Sequence, residues 1–336
     1  MFATEPSSKR VVEQPEALCL EHLAALCKAS GDPLRLQVLR VLRHDSLGVL
    51  ELCSIFDMRQ PAMSHHLKVL ASAGLVTSRR EGNTIFYRRA PLSQHRALTA
   101  LQNSLFLAVD QLLLPAPVVQ RLALLHAQRA QSSQQFFQQN ADKFRAQQDL
   151  IASYDKYADT VAQLQRDAPL SQRHLALEVG PGDGAFLREL APAFERVIAL
   201  DNSAEMLETA RHLAQQQSLL NVDFILGDTR HPELQGLQAD CIVVNMVLHH
   251  TPSPAAIFSD LAAVLAPAGV LLVTDLCNHD QAWVRENCGD LWLGFEPGDL
   301  QLWAQSAGLR EIASEYLAQR NGFQIQVRLF GHRQYH

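Results

Sequence analysis

Residues 175–201, reading LALEVGPGDGAFLRELAPAFERVIALD, constrain this chain more than any other stretch. A short apolar run ending at Val179 meets glycines at 180, 182 and 184, and apolar residues at helical spacing follow (Phe186, Leu187, Leu190). Strand, tight glycine turn and helix form the unit by which an open α/β sheet turns backbone N–H groups toward a ligand. A second apolar run ends on Asp201, nineteen residues past Gly182, where such sheets carry a carboxylate for ribose hydroxyls. The segment asks for an adenosine-containing ligand without saying which, because Gly180-x-Gly182-x-x-Ala185 also satisfies the dinucleotide fingerprint.

Downstream, strand and helix patterns alternate, which implies a parallel sheet. Strands are expected at 197–200, 222–226, 239–245 and 270–275, and helices at 203–216, 254–265 and 300–307. Two alternating runs around Arg320-Asn321-Gly322 signal a terminal antiparallel hairpin.

The first hundred residues differ in kind. They carry thirteen Lys and Arg against nine Asp and Glu, although the chain as a whole has a net charge of -6. Between 59 and 89 there are six basic residues and one acid, Glu81. Such a patch is the electrostatic footprint of a nucleic-acid module, but a solvated face would fit charge alone equally well. Periodicity adds a second argument. Helices are expected at 16–30, from the Asp32-Pro33 cap, at 49–56 and from Pro61. In the last of these Met63, Leu67, Leu70 and then Leu75 face inward, while Gln60, Ser64, His65 and Lys68 share the other side. After Gly74 the period changes to two, and 75–80 and 84–88 flank a Glu81-Gly82-Asn83 turn. Helices followed by a basic hairpin compose a winged helix-turn-helix.

With 336 residues there is room for two domains, and 47% hydrophobic residues can build their cores, which argues against disorder. Six cysteines at 19, 27, 53, 241, 277 and 288 form no C-x-x-C pair and read as buried thiols. No apolar run is long enough to span a membrane, and MFATEPSSKR lacks the plan of a signal peptide, so the expected location is cytoplasmic.

The phrases GDPLRLQVLRVL, QPAMSHHLKVL and AGLVTSRREGNTIFYR resemble the ArsR/SmtB-type bacterial repressors over about residues 17–112. The resemblance implies a double-stranded DNA operator as partner. Gln60, Ser64, His65 and Lys68 would face the major groove, and Arg59, Arg79 and Arg80 would add phosphate contacts. It also implies a homodimer, paired through a helix at 93–114. Two departures stand out. The C-x-C positions by which many such repressors sense soft metals fall on Gly48 and Leu50, so no metal site is expected, and Cys53 is expected to pack. The usual Ser N-cap before Gln-Pro is Arg59. Beyond Pro115 and Pro117 a Gln-rich helix is expected over 118–164, interrupted near Ser132-Ser133, with an apolar side that includes Phe136, Phe137, Tyr154 and Tyr157.

Residues 150–331 resemble class I S-adenosylmethionine (SAM)-dependent methyltransferases, through EVGPGDG, Asp201, Gly227-Asp228, NMVLHH and LAPAGVLLVTD. The fold class implied is mixed α/β: an N-terminal winged helix-turn-helix, then a Rossmann-like class I methyltransferase sheet with a terminal antiparallel hairpin. The expected domains are DNA-binding at 1–92, dimerisation and connector helices at 93–164, and SAM-binding at 165–336. Charge favours SAM over a pyrophosphate. Two unit charges about 4 Å apart interact by roughly 4 kcal/mol at an effective dielectric near 20, so Glu178, Asp201 and Asp228 suit a cationic or neutral nucleoside better than a diphosphate.

In this reading the ligand is SAM or S-adenosylhomocysteine (SAH). Gly180, Pro181 and Gly182 form the loop, Asp201 takes the ribose hydroxyls, and Asn202 follows it at the cofactor. Met206 packs on adenine, Asp228 with Thr229 accepts from its amino group, and Gly227 stands beside them at the cofactor. Asn245 lines the amino-acid end, and Tyr157 closes over the ligand by cation–π attraction. His250 is the candidate general base, while its pairing with His249 also reads as loop architecture; no other catalytic residue is assigned.

The combination resembles regulators of the SAM-recycling pathway: a repressor with a methyltransferase-type domain as its SAM or SAH sensor. The alternative is an active methyltransferase on a small molecule or a protein, with an accessory DNA-binding domain. A DNA methylase fits less well, because neither an Asn- or Asp-Pro-Pro-aromatic motif nor a Pro-Cys occurs at 245–250.

Overall fold

The computed structural model describes residues 20–81, 84–93 and 95–332. The expected start of the first helix, Cys19 and the hairpin tip Gly82-Asn83 lie outside the described residues. In the N-terminal part, α1 (Leu20–Ser30), α2 (Pro33–Val41), α3 (Val49–Phe56) and α4 (Gln60–Ser72) surround a core in which Met63, Leu67, Leu70 and Leu75 are fully buried. Asp32 caps α2 by accepting from the Arg35 N–H at 3.0 Å, and Pro33 occupies the first turn, where its missing N–H costs nothing. A short β1 (Leu47–Gly48) joins the wing formed by β2 (Val76–Glu81) and β3 (Thr84–Arg89), in the order β1-β3-β2.

Next come α5 (Arg96–Asp110) and α6 (Ala116–Ala152). The expected interruption near Ser132-Ser133 is not there: α6 runs unbroken for 37 residues and stops at Ser153. Ser132 returns its hydroxyl to the Gln128 carbonyl at 3.0 Å, so the hydroxyl is satisfied inside the helix and does not break it. After a single turn, α7 (Ala158–Asp167) leads into the sheet.

Seven strands follow, in the order β6-β5-β4-β7-β8-β10-β9. They are β4 (Leu175–Val179), β5 (Arg196–Asp201), β6 (Val222–Leu226), β7 (Ala239–Asn245), β8 (Leu265–Leu276), β9 (Leu309–Ala318) and β10 (Gln324–His332). The first five are parallel, and β10 inserts antiparallel between β8 and β9 as the closing hairpin. Helices α8 (Leu187–Leu190), α9 (Ala204–Gln216), α10 (Pro254–Val264), α11 (Trp283–Cys288) and α12 (Pro297–Ser306) connect them. Sequence reading missed α11, six residues too short to show a period. The helix after the glycine loop, α8, is only four residues long, because Pro192 arrives before a second turn closes.

Each face of the sheet has its own apolar core: Val161, Phe186, Leu190 and Phe323 on one, Ile198, Phe258, Trp292 and Phe330 on the other. Phe86 of the wing belongs to the second core, so the N-terminal part packs directly on the sheet. Among the described residues no helix is long and apolar enough to cross a membrane.

Candidate functional site

Parallel strands end together, and the loops leaving β4, β5, β6 and β7 meet over one edge of the sheet, where such folds hold ligands. They surround a cavity of about 810 Å³, roofed by α6. The glycine loop bends where side chains cannot follow. Gly180 (φ +65°) lies so near Val247 that a Cβ would sit 2.5 Å from that side chain, and Gly184 (φ +83°) rests on Ala210. Gly182 (φ +58°) has no neighbour within 4 Å of a Cβ, which leaves backbone open to a ligand. With α8 only one turn long, this cradle rests on the loop's own N–H groups and little on a helix dipole.

All twelve residues placed at a cofactor by sequence line this one cavity. Glu178 is fully buried at the end of β4, its Oε2 has no hydrogen-bond partner, and burial next to Asp183 lifts its carboxyl to about 8. At the end of β7 both side-chain atoms of Asn245 are likewise buried and unpartnered. Polar atoms left this way cost free energy unless something meets them, so the pocket is built for a polar ligand that brings both donors and acceptors. Asp201 Oδ1 accepts from the Ser203 N–H at 2.9 Å, and burial raises its carboxyl to about 6 against the pull of that bond. Thr229 donates its hydroxyl to Asp260 at 2.7 Å and keeps only acceptor capacity for a ligand. Tyr157 is buried with its ring 5.7 Å from Tyr154, while the Tyr154 face is taken by Arg188 at 5.4 Å. These residues fit SAM or SAH: carboxylates for ammonium and ribose, an open backbone cradle and buried aromatic rings.

Of the two histidines after β7, only His250 lines the cavity. His249 is locked beneath it, Nδ1 to Asp275 Oδ1 at 2.7 Å, while Asp275 Oδ2 accepts from the Leu248 N–H. Burial opposes a charge on His249, but Asp275 and Asp290 outweigh it and lift the imidazole to about 9. His250 is pushed well below its ordinary value by burial and by the neighbouring His249, so it is neutral at pH 7 and a weak base. Sequence reading missed Phe137 and Ile257, which also line the cavity; each looked like a helix packing residue.

On the N-terminal part, Arg59, Gln60, His65 and Lys68 are exposed along α4, and Ser64 is half-buried beside them. Arg59 makes no side-chain cap bond, consistent with the missing Ser. Cys53 packs against the local core, and burial raises its thiol. The wing arginines divide. The register pairs Arg79 with Phe86 and Arg80 with Ile85, so alternation sends Arg79 and Arg80 to opposite faces. Arg80 is exposed. Arg79, expected on phosphate, instead donates to the Gly294 carbonyl at 2.9 Å. On the same face Phe86 meets Trp292 edge-on at 5.8 Å, and Arg88 pairs with Asp299. A second bridge runs through α6: Arg129 holds Glu51 at 2.6 Å, donates to the Pro252 carbonyl at 3.2 Å and stacks 4.8 Å over Trp292.

Comparison with known proteins agrees with both halves. Residues 32–78 match the family described as "Bacterial regulatory protein, arsR family", and residues 177–273 match a methyltransferase domain. An uncharacterized HTH-type transcriptional regulator of Methanocaldococcus jannaschii is 43% identical over 70 residues, covering 20% of this chain and 76% of that protein. The ubiquinone biosynthesis O-methyltransferase of Coxiella burnetii is 26% identical over 160 residues, covering 44% of this chain and 68% of that enzyme. Magnesium protoporphyrin IX methyltransferase from Synechocystis PCC 6803, solved with bound SAH, shares the fold with TM-score 0.50 at 19% identity, over 61% of this chain and all of that one.

Proposed function

The chain belongs to the arsR family of bacterial regulatory proteins and carries a class I methyltransferase domain behind its reader helix, and from that premise we propose that it is a transcriptional repressor whose effector is SAM or SAH. One observation carries the reading: the cavity and the DNA-facing part share bonds. Thr251 and Pro252 line the cavity, and their carbonyls accept from Trp292 and Arg129, the residues that meet Phe86 of the wing and Glu51 of α3. A ligand that moves the 251–252 turn therefore acts on the wing through the Trp292 bond and on α3 through the Arg129 bond.

In this reading Glu178, Asp201 and Asn245 hold and orient the nucleoside, and α4 reads a double-stranded operator. The protein works as a cytoplasmic homodimer. Exposed leucines on α1 and α5 (Leu20, Leu101, Leu107) support that assembly, because apolar side chains left in water are the usual material of a subunit contact. A tenfold change in operator affinity needs about 1.4 kcal/mol of difference in ligand affinity between the two states. The test is a titration of operator binding with SAM and with SAH at micromolar concentration. A shift of tenfold or more by either supports effector sensing, and an unchanged affinity with both overturns it.

A second reading, an active methyltransferase with an accessory DNA-binding domain, is favoured by one feature. The cavity is lined by His250, Phe137 and Ala130 as well as by the nucleoside residues, a lining that suits a methyl acceptor. SAM, when bound, supplies a methyl group activated by its sulfonium. Turnover of SAM to SAH by the full chain with a panel of small phenols and acids tests this reading separately from operator binding.

A further inference from the structure

Beneath the cavity lies a cluster that the nucleoside does not use. His249, His250 and Asp290 each bring one potential ligand atom to within 4.8 Å of the others, and all three side chains are buried. Asp290 is the informative member. It is 3% exposed, it follows α11 at the turn that Gly289 makes with φ +74°, and neither of its carboxylate oxygens has a hydrogen-bond partner. A carboxylate buried without a donor is costly unless a cation or a proton meets it. His250 Nδ1 lies 3.8 Å from Asp290 Oδ1.

The histidines are arranged as ligands commonly are. His249 gives its Nδ1 to Asp275 at 2.7 Å, the carboxylate–imidazole arrangement that orients a metal-binding ring and leaves the other nitrogen for an ion. Asp275 is itself fixed by the backbone N–H groups of Leu248 and Leu276, so the ring has a rigid support. With metal–nitrogen bonds of about 2.0–2.1 Å, atoms no more than 4.8 Å apart need to move inward by less than about 1 Å each.

We propose that His249, His250 and Asp290 form a site for one divalent first-row transition ion, zinc or a congener, with Asp275 as its positioning residue. Two imidazoles and one carboxylate select such an ion over magnesium or calcium, which prefer oxygen donors. Three protein ligands would leave a coordination position for water or for a second small molecule, and one of the three, His250, lines the cavity. The ion also has a structural consequence. The N–H groups of Leu291 and Trp292 already bond the His249 carbonyl at 2.9 and 3.1 Å, so a metal bond to Asp290 fastens the turn that presents Trp292 to the wing.

The full chain, stripped with chelator and titrated with cobalt(II) alone, is expected to bind one equivalent with a visible ligand-field spectrum that zinc displaces. Asp290→Asn and His250→Gln should each weaken that binding at least tenfold, and Asp275→Asn by about 10- to 100-fold. Circular dichroism of the chelated proteins identifies a variant that has failed to fold, and the other variants then decide. Failure to bind cobalt at tens of micromolar, or wild-type affinity in the folded variants, overturns the site and leaves Asp290 as a buried acid without a metal. Since the readout needs neither nucleoside nor operator, that failure is distinct from failure of effector sensing.

Discussion

At the scale of single residues, the pocket is set against its own stability, and Glu178 shows the sign. Burial lifts its carboxyl from an ordinary value near 4.5 to about 8, so between those values the folded chain holds a proton that the unfolded chain has released. Stability from this group is therefore full below about pH 4.5 and is lost as pH rises to 8, on the order of 5 kcal/mol across the window. Glu178→Gln should flatten that fall, leaving the ligand-free variant more stable than wild type at pH 8 and similar at pH 5, while SAM binding weakens. Thermal melts at the two pH values, with and without SAM, check both parts. Gly180→Ala should act differently, because its Cβ would meet Val247 at 2.5 Å and the φ of +65° disfavours any side chain. A loss of about 1–3 kcal/mol is expected in denaturant melts, together with weaker SAM binding by calorimetry. Positions such as Gly180, Asp201 and Asn245 were legible in the sequence because each ends a strand or follows it, and parallel strands bring their ends together. Asp290 was not legible: it stands forty residues beyond His250, after a helix too short to have a period, and only packing joins them.

Elements carry the next level. The amphipathic pattern of α4 identified its buried and polar sides, because a 3.6-residue period assigns every position to one or the other. Alternation in the wing likewise gave two faces, yet could not tell which one meets water. That depends on a partner surface, Trp292 to Asp299, found two hundred residues later in the chain. For α6 the apolar side was visible, but the unbroken run through Ser132-Ser133 was not, since a serine that bonds back into its own helix has the same letter as one that ends it. The divided wing leads to a paired prediction. Lys68→Ala, on the exposed side of α4, should reduce operator affinity and make the slope of log affinity against log salt shallower by about 1. Arg79→Ala should leave that slope unchanged, because its guanidinium is held by the Gly294 carbonyl. Fluorescence anisotropy across a salt series separates them, and an equal change of slope in both would show that Arg79 reaches phosphate when DNA is bound.

For the whole molecule, what matters is that one indole belongs to both halves. Trp292 is 3% exposed, donates Nε1–H to the Thr251 carbonyl at 2.7 Å, receives the edge contact of Phe86 and lies under Arg129. Truncating it to alanine would open a cavity costing roughly 3–5 kcal/mol and confuse coupling with unfolding. Trp292→Phe keeps most of the apolar volume and removes the N–H, leaving the Thr251 carbonyl without that donor at a cost of about 1–3 kcal/mol. If the cavity speaks to the wing through this bond, the variant should bind SAM and SAH within a few-fold of wild type and bind operator in their absence. The nucleoside-dependent shift in operator affinity should nonetheless shrink by at least half on a free-energy scale. Reciprocity supplies a control, since operator must then alter nucleoside affinity by the same reduced factor. A variant that binds both partners and keeps the full shift would route the coupling away from Trp292, toward the Arg129 bridge between Pro252 and Glu51.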